Sequence, residues 1–300
     1  MVLHLTEAEI TKVLNYETLI PAMEKALASF SAGKVIQPVR SVLTVEEGQR
    51  FFAVMPAVTE SGMGAKLVTF YPKNAGTEFP THMATITLFD TNTGEPLAFM
   101  DGTLITEMRT AAVSAAVTKY LSPENSKILT LLSSGIQAQA HLEALRHVCD
   151  FSEVRVWSRT AEHAKNFAER NGIKAMALEA AVRGADVVMI ATNSTEPILK
   201  GAWLKEGAHV NTVGATRPNW RELDDAAMHN TLIVDSRDAV LKESGDVMHS
   251  KAEIFAEAGE IFARTKRADR AKTSVFKSVG LAVEDIATAR LVYDAIKAKS

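Results

Sequence analysis

The sequence predicts an α/β protein of two domains, one a parallel sheet crossed by helices and the other an α+β antiparallel sheet. Three observations carry this reading. The first third of the chain is a series of short β-rich segments separated by turn residues. From Lys127 onward the pattern becomes strand–helix alternation, the mark of a parallel sheet. Gly280 to Lys297 is a helical segment outside that alternation, free to return to the first domain. The expected division is residues 1–121 with 279–300, and 122–278.

In chain order, Thr6-Glu7-Ala8-Glu9 is a capping box that opens a short helix. A second helix runs from about Glu17 to Phe30, with Leu19, Met23, Leu27 and Phe30 apolar, and ends near Gly33. Strands follow at Ser41 to Val45, Phe51 to Met55, Ala65 to Tyr71 and Met83 to Phe89. Asp90 to Gly94 is a turn, and Pro96 to Met100 returns as a strand. Such a sheet has open edges, which often pair across a dimer. Thr106 to Leu121 reads as an Ala- and Thr-rich helix, and Pro123 and Asn125 mark the boundary after it.

The stretch from Lys127 to Thr160 is the most informative. Ile128 to Leu132 is a continuous apolar run, as expected of a strand buried on both faces. Ser133-Ser134-Gly135 breaks it. Gln137 to Val148 then has a helical period, with Ala138, Leu142, Leu145 and Val148 near one face, and Val154 to Trp157 is a second strand. Strand, tight turn, helix, strand is the unit that holds a dinucleotide pyrophosphate at a helix N-terminus. The fingerprint is partial: Ser133, Gly135 and Ala138 occupy its positions, so its first glycine is absent. Ser133 can serve only with backbone angles open to a non-glycine residue.

NAD-binding units usually end the second strand with an acid that holds the ribose hydroxyls. Here the strand ends in Ser158-Arg159-Thr160, which would attract a ribose 2′-phosphate. NADPH is therefore favoured, with NADH possible. Thr160 also stands as N-cap of a helix from Ala161 to Asn171, which Gly172 ends. Further strands are expected at Ala185 to Ala191, Ala208 to Val213 and Thr231 to Val234. Thr192 and Val213, at carboxyl ends of strands, are candidate cofactor contacts.

Composition bounds the function. The 300 residues carry a formal charge of −3 and 47% apolar residues, which gives no broad attraction to nucleic acid or anionic membrane. No apolar run approaches the roughly 20 residues of a membrane span. One cysteine, Cys149, allows no intrachain disulfide, and the N-terminal residues lack a secretory pattern, so a cytoplasmic protein is expected. Neither H-x-x-x-H nor C-x-x-C occurs, so no catalytic metal is expected. There is no G-x-S-x-G elbow and no phosphate loop ending in Lys-Ser/Thr.

Three cations precede the dinucleotide unit. Arg40 follows Gln37-Pro38-Val39, Lys66 interrupts a strand otherwise fit for burial, and Arg109 lies on the Ala-rich helix. A charge in apolar surroundings is costly unless paired. Three such cations, with few matching acids nearby in sequence, suggest an anionic ligand whose carboxylate an arginine could fork. Thr81 and His82 precede a strand, and a lone histidine there is more often structural.

Taken together these stretches resemble the ornithine cyclodeaminase/mu-crystallin family over essentially the whole chain. The resemblance rests on Gln37-Pro38-Val39-Arg40, Val54-Met55-Pro56, Lys66-Leu67-Val68, Met100-Asp101-Gly102, Arg109-Thr110-Ala111-Ala112, Gly135-Ile136-Gln137-Ala138 and Glu222-Leu223-Asp224. It is nearest the mu-crystallin branch, through Pro218 to Asp225, Leu241 to Val247, Ala252 to Glu257 and Val275 to Ser278. The resemblance implies a Rossmann domain, a homodimer formed through the sheet domain, and NADPH-dependent reduction of cyclic ketimines such as 1-pyrroline-2-carboxylate. It implies that Arg40, Lys66 and Arg109 line the pocket for the cyclic imino acid, with Thr81 and His82 near the nicotinamide. Ser134, Gly135, Ile136 and Gln137 would hold the pyrophosphate, and Ser158, Arg159 and Thr160 the 2′-phosphate. Thr216, Glu243 and Ser278 would surround cofactor and substrate.

Two departures from the cyclodeaminases matter. Those enzymes carry an Asp where this chain has Thr216 and a Glu where it has Ala53, acids suited to a diamine substrate. The alternatives are a cyclodeaminase, an alanine dehydrogenase-like enzyme, or a non-enzymatic protein that binds NADPH or another small ligand. Lys66 is the candidate proton donor to the imine nitrogen.

Overall fold

The computed structural model describes residues 2–47 and 49–299. The chain begins with β1 (Leu3–Leu5), α1 (Glu7–Thr11) and α2 (Tyr16–Ser31). Five strands follow: β2 (Ser41–Glu46), β3 (Arg50–Val58), β4 (Met63–Phe70), β5 (His82–Phe89) and β6 (Pro96–Asp101). Next come α3 (Thr103–Leu121), β7 (Ile128–Leu132), α4 (Ile136–Arg146), β8 (Glu153–Trp157), α5 (Ala161–Asn171) and β9 (Lys174–Ala175). After them are α6 (Leu178–Val182), β10 (Val187–Ile190), β11 (His209–Thr212), α7 (Asp225–Met228) and β12 (Thr231–Val234). The chain closes with α8 (Arg237–Glu243), α9 (Gly245–Ser250), β13 (Ile254–Glu257), α10 (Ala258–Phe262), β14 (Ser274–Lys277) and α11 (Ala282–Lys297).

Two compact units result, residues 1–109 with 281–300, and 110–280. The first division falls inside α3, whereas the sequence reading placed it at that helix's end. The second falls just after Gly280, whose φ of +80° is open to glycine.

The first unit is built on a six-stranded sheet in the order β1-β6-β5-β4-β3-β2. Strands β2 to β6 form an antiparallel meander, as expected. The purely antiparallel reading needs correction at one edge, because β1 joins β6 in parallel. Three residues give too short a period to be read as a strand. Alternation sets the faces. Ala53, Met55 and Ala57 of β3, Lys66 of β4, Ala84, Ile86 and Leu88 of β5, and Ala98 and Met100 of β6 are buried. α11 packs on β3, β4, β5 and α2. Gly64 makes this approach possible: a Cβ there would stand 1.9 Å from the Thr87 carbonyl oxygen and 3.0 Å from Ile286 Cδ1.

The second unit carries an eight-stranded parallel sheet in the order β13-β12-β14-β11-β10-β7-β8-β9. Every residue of β10, β11 and β14 is buried, which explains their unbroken apolar or small-polar runs. β14 enters between β11 and β12 although it is the last strand in sequence. Two buried polar pairs in this unit involve α3. His141 of α4 meets Ser114 Oγ of α3 at 2.9 Å, and Asn211 of β11 donates to Thr118 Oγ1 at 2.9 Å. Small residues on α3 are what let these side chains reach it. Among the described residues no helix is long and apolar enough to cross a membrane.

Candidate active site

In the first unit the sequence-predicted cations converge on α11. Strand alternation turns Lys66 to the buried face, between its cross-strand partners Met55 and Ile86. The side chain is 2% exposed, and Arg109 on α3 is 5% exposed. Burial of a charge at these positions demands a counter-charge. The first turn of α11 supplies it, where acids also suit the helix dipole. Asp285 Oδ2 lies 2.8 Å from Lys66 Nζ and Asp285 Oδ1 accepts from Arg109 Nε at 3.0 Å. Glu284 Oε2 accepts from Arg109 Nη1 at 2.5 Å. Gln37 Oε1 accepts the Val283 N–H at 2.7 Å, tying the Gln-Pro-Val-Arg segment to the start of the same helix.

This corrects one sequence expectation. The cations do have matching acids, but those acids lie far along the chain, and folding brings them in. Arg40, half-buried, acts electrostatically on Lys66, His82 and Asp285. Asp285 and Glu284 are the carboxylates bound to Lys66 and Arg109. The Nη2 amino group of Arg109 lies outside both ion pairs.

Burial pulls the Lys66 ammonium down to about 8, opposed by Asp285 and assisted by Arg109 and Arg40. Burial would raise the Asp285 carboxyl, but Arg109 and Lys66 outweigh it and hold the group below its ordinary range. His82, at the start of β5, is pushed down to about 4 by burial and then by Lys66 and Arg109, so it is neutral at pH 7. Thr81, just before it, accepts the Tyr71 N–H through its carbonyl at 2.8 Å. Lys66, Arg109, Arg40 and His82 thus form one electrostatic group.

In the second unit, the turn after β7 lies at a cleft of about 440 Å³ lined by Ser133, Ser134, Gly135, Ser158, His163, Asn166 and Arg170. Ser134 Oγ donates to Ser158 Oγ at 3.0 Å, joining the ends of β7 and β8. Gly135 is the N-cap of α4, and the N–H groups of Ile136 and Gln137 open that helix, where no intrahelical acceptor is available. A Cβ on Gly135 would meet only Ser133 Oγ, at 3.8 Å, so the space in front of the turn is open. Ser133 is absent from the left-handed residues, so the missing glycine leaves no strained angle. These residues fit a dinucleotide pyrophosphate.

α5 spans the expected residues, and Gly172 ends it at φ +63°. Thr160 is its N-cap residue without a side-chain bond to it. Arg159 is exposed and is not part of the cleft lining. The sequence reading missed His163, Asn166 and Arg170, which line the cleft from α5. Their spacing of three and four residues, one helical face, was the available signal.

Of the remaining predicted residues, Thr192 is held by a buried carboxylate, Glu222. The N–H and hydroxyl of Thr192 both donate to Glu222 Oε1, and Thr212 Oγ1 donates to Glu222 Oε2 at 2.7 Å. Val213 donates its N–H to the Ile190 carbonyl. Gly214 must be glycine, since a Cβ would stand 2.2 Å from the Thr192 oxygen and 2.5 Å from Glu222 Oε1. Thr216 is half-buried beyond Ala215, whose φ is +49°. Ser278 Oγ donates to Asp235 Oδ2 at 2.8 Å, and that oxygen also takes the N–H groups of Val279 and Gly280 at 2.7 Å. Glu243 is the half-buried last residue of α8. Glu222, Asp235, Asp246 and Lys277 are entirely buried, and the sequence reading gave them no role in the site. Among the described residues no group of three or more His, Cys, Asp or Glu side chains is placed to hold a metal.

The chain is 50% identical over 286 residues to the ketimine reductase mu-crystallin of Macropus fuliginosus, covering 92% of this chain and 91% of that protein. A solved structure of Thermococcus litoralis Delta(1)-pyrroline-2-carboxylate reductase in complex with NADH and L-proline is similar at TM-score 0.94 and 36% identity. That match covers 99% of this chain and 98% of the other. An archaeal alanine dehydrogenase dimer with bound NAD is similar at TM-score 0.93 and 32% identity, covering 99% and 97%. The profile of one family matches residues 1–300, and the chain belongs to that family, the ornithine cyclodeaminase/mu-crystallin family.

Proposed function

We propose that this protein is an NAD(P)H-dependent oxidoreductase that reduces the C=N bond of cyclic ketimines, 1-pyrroline-2-carboxylate and its six-membered homologue among them. The observation that carries the reading is the Lys66–Asp285–Arg109–Glu284 cluster with Arg40 beside it. It gathers three cations, of which an arginine guanidinium suits a carboxylate, with an ammonium whose proton is easily released. The ketimine reductase and the pyrroline-2-carboxylate reductase to which the chain is similar support the same substrate class. Thr216, in place of an acid, argues against cyclodeamination.

Reduction of a ketimine adds hydride to carbon and a proton to nitrogen, and a bound reduced nicotinamide supplies the hydride. Arg40 and the Nη2 group of Arg109 bind the substrate carboxylate. Each charged hydrogen bond contributes about 1.5–3 kcal/mol. Lys66 transfers one ammonium proton to the ring nitrogen, making its carbon the better hydride acceptor, and regains a proton from water. His82, neutral, adds no charge that would repel the protonated imine.

The cofactor reading rests on the second unit. Ser134, Gly135, Ile136 and Gln137 hold the pyrophosphate at the α4 N-terminus. The solved relatives carry NADH and NAD. NADPH preference is our inference from the absence of an acid in Ser158-Arg159-Thr160 and from the basic lining of His163 and Arg170.

We also propose a homodimer through the first unit's sheet. Its outer face presents Leu67, Met83 and Phe99, and the edge strand β2 leaves Val42, Leu43 and Val45 exposed, Leu43 by 55%. An apolar edge of this kind is normally covered. Light scattering that gives the mass of a single chain would refute the dimer.

The experiment for the activity follows NADPH and NADH oxidation with a panel of cyclic imino acids. Turnover with at least one ketimine, lost far more than NADPH binding in Lys66→Ala, is the expected result. No oxidation with any member of the panel would sink the proposal.

A further inference from the structure

We propose that Asp285 is the positioning residue of this site, holding Lys66 charged and in register with Arg109 so that proton donor and carboxylate anchor are set by one side chain. This deepens the reductase reading above and rests on it. Two oxygens of one buried carboxylate each take a different cation, Lys66 at 2.8 Å and Arg109 at 3.0 Å. The residue is fully buried. Its backbone is equally fixed. Gln37 accepts from Val283 at the helix start, and Ile286, the next residue, fills the space over Gly64. The two functional cations come from β4 and α3, elements that share no hydrogen bond through these side chains, so Asp285 is the link between them.

The charged and titratable groups facing Asp285 are Lys66 from β4, Arg109 from α3, Arg40 from the segment before β2, His82 from β5 and Glu284 from its own helix. Of these, Arg40 and Arg109 favour the neutral form of Lys66, as burial does. Asp285 is the principal group that opposes them. Without its charge, the lysine would give up its proton to solvent near neutral pH and reach the imine without one to transfer. Glu284 accepts from Arg109 at a different nitrogen, Nη1.

The test compares wild type with Asp285→Asn and Asp285→Glu. In Asp285→Asn, kcat should fall by more than about tenfold at neutral pH, and its alkaline limb should move at least about one pH unit toward acid. NADPH binding, followed by fluorescence, should stay within about twofold. A fall in kcat with an unmoved alkaline limb would mean a merely structural role and overturn the proposal. If Asp285→Asn does not fold, Asp285→Glu decides. It keeps the charge but displaces it, so the limb should remain while kcat falls by about tenfold. Wild-type kcat in Asp285→Glu would overturn the proposal. A second readout is independent of turnover: pH-dependent acylation of Lys66, quantified by peptide mass spectrometry. Half-reaction should move toward acid in Asp285→Asn, and an unmoved midpoint also overturns the proposal. If the wild type reduces no ketimine, the reductase reading fails, while the acylation midpoint still reports whether Asp285 sets the lysine.

Discussion

Lys277 Nζ lies 3.0 Å from Asp246 Oδ2, and neither side chain has any contact with solvent. The same ammonium reaches Thr212 Oγ1 at 3.4 Å, donates to the Gly214 carbonyl and stands 3.9 Å from Glu222 Oε2. Asp246 Oδ1 in turn accepts the N–H groups of Glu222 and Leu223. One lysine of β14 therefore ties the end of β11 and the loop after it to Asp246 of α9. Lys277→Met removes the cation and leaves two acids buried, one of which burial already pushes up, Glu222. The expected loss is about 3–5 kcal/mol of stability, read as a lowered urea midpoint. A loss below about 1 kcal/mol would show that the network contributes little to the fold.

The alkaline limb of activity should come from Lys66. Its charged form is the proton donor, and it loses that proton as pH rises through about 8. With saturating cofactor, kcat should be level below that pH and decline above it. A profile flat to about pH 10 would remove Lys66 as the acid.

Acid should weaken the fold through buried histidines. His209, bonded to Ser274 and Asn211, is pushed down to about 3 by burial, against an ordinary value of 6.5. His141 is likewise held at about 4. Between those values and 6.5 the unfolded chain binds more protons than the native one, so stability rises with pH in that window and falls as acid is added. His209→Gln should flatten part of this dependence in thermal unfolding scans between about pH 4 and about pH 7. An identical slope in variant and wild type would exclude His209 as a contributor.

Cofactor choice should follow the end of β8. Ser158→Asp places an acid beside Ser134, where it would accept ribose hydroxyls and repel a 2′-phosphate. The ratio of kcat/KM for NADPH over NADH should drop by more than about tenfold. An unchanged ratio would move 2′-phosphate recognition away from Ser158.

Much of the fold could be read in advance because its periods are strong. α5 and β12 fall on the expected residues, since each is bounded by a cap, a glycine or a turn and has one clear period. β14 escaped because its four residues include Lys277, and a lysine argues against a central strand until its buried acids are known. The site was half legible. Lys66 and Arg109 stood out as charges in apolar runs, but Asp285 and Glu284 looked like ordinary acids in a helix's first turn. Local sequence says which charges are out of place; it does not say which distant acid will meet them. His163 and Arg170 were hidden for a different reason: on an exposed helix a basic residue looks like solvated surface until a cleft forms beneath it.

The anions that neutralise Lys66 and Arg109 reside on the last helix, so they leave the ribosome long after the sheet they complete. During synthesis the opening hundred or so residues must hold two cations whose counter-ions do not yet exist. The leading sheet thus cannot settle early and wait. A nascent chain arrested before Ala282 should remain protease-sensitive in that sheet, and its protection should appear only once translation has passed Asp285.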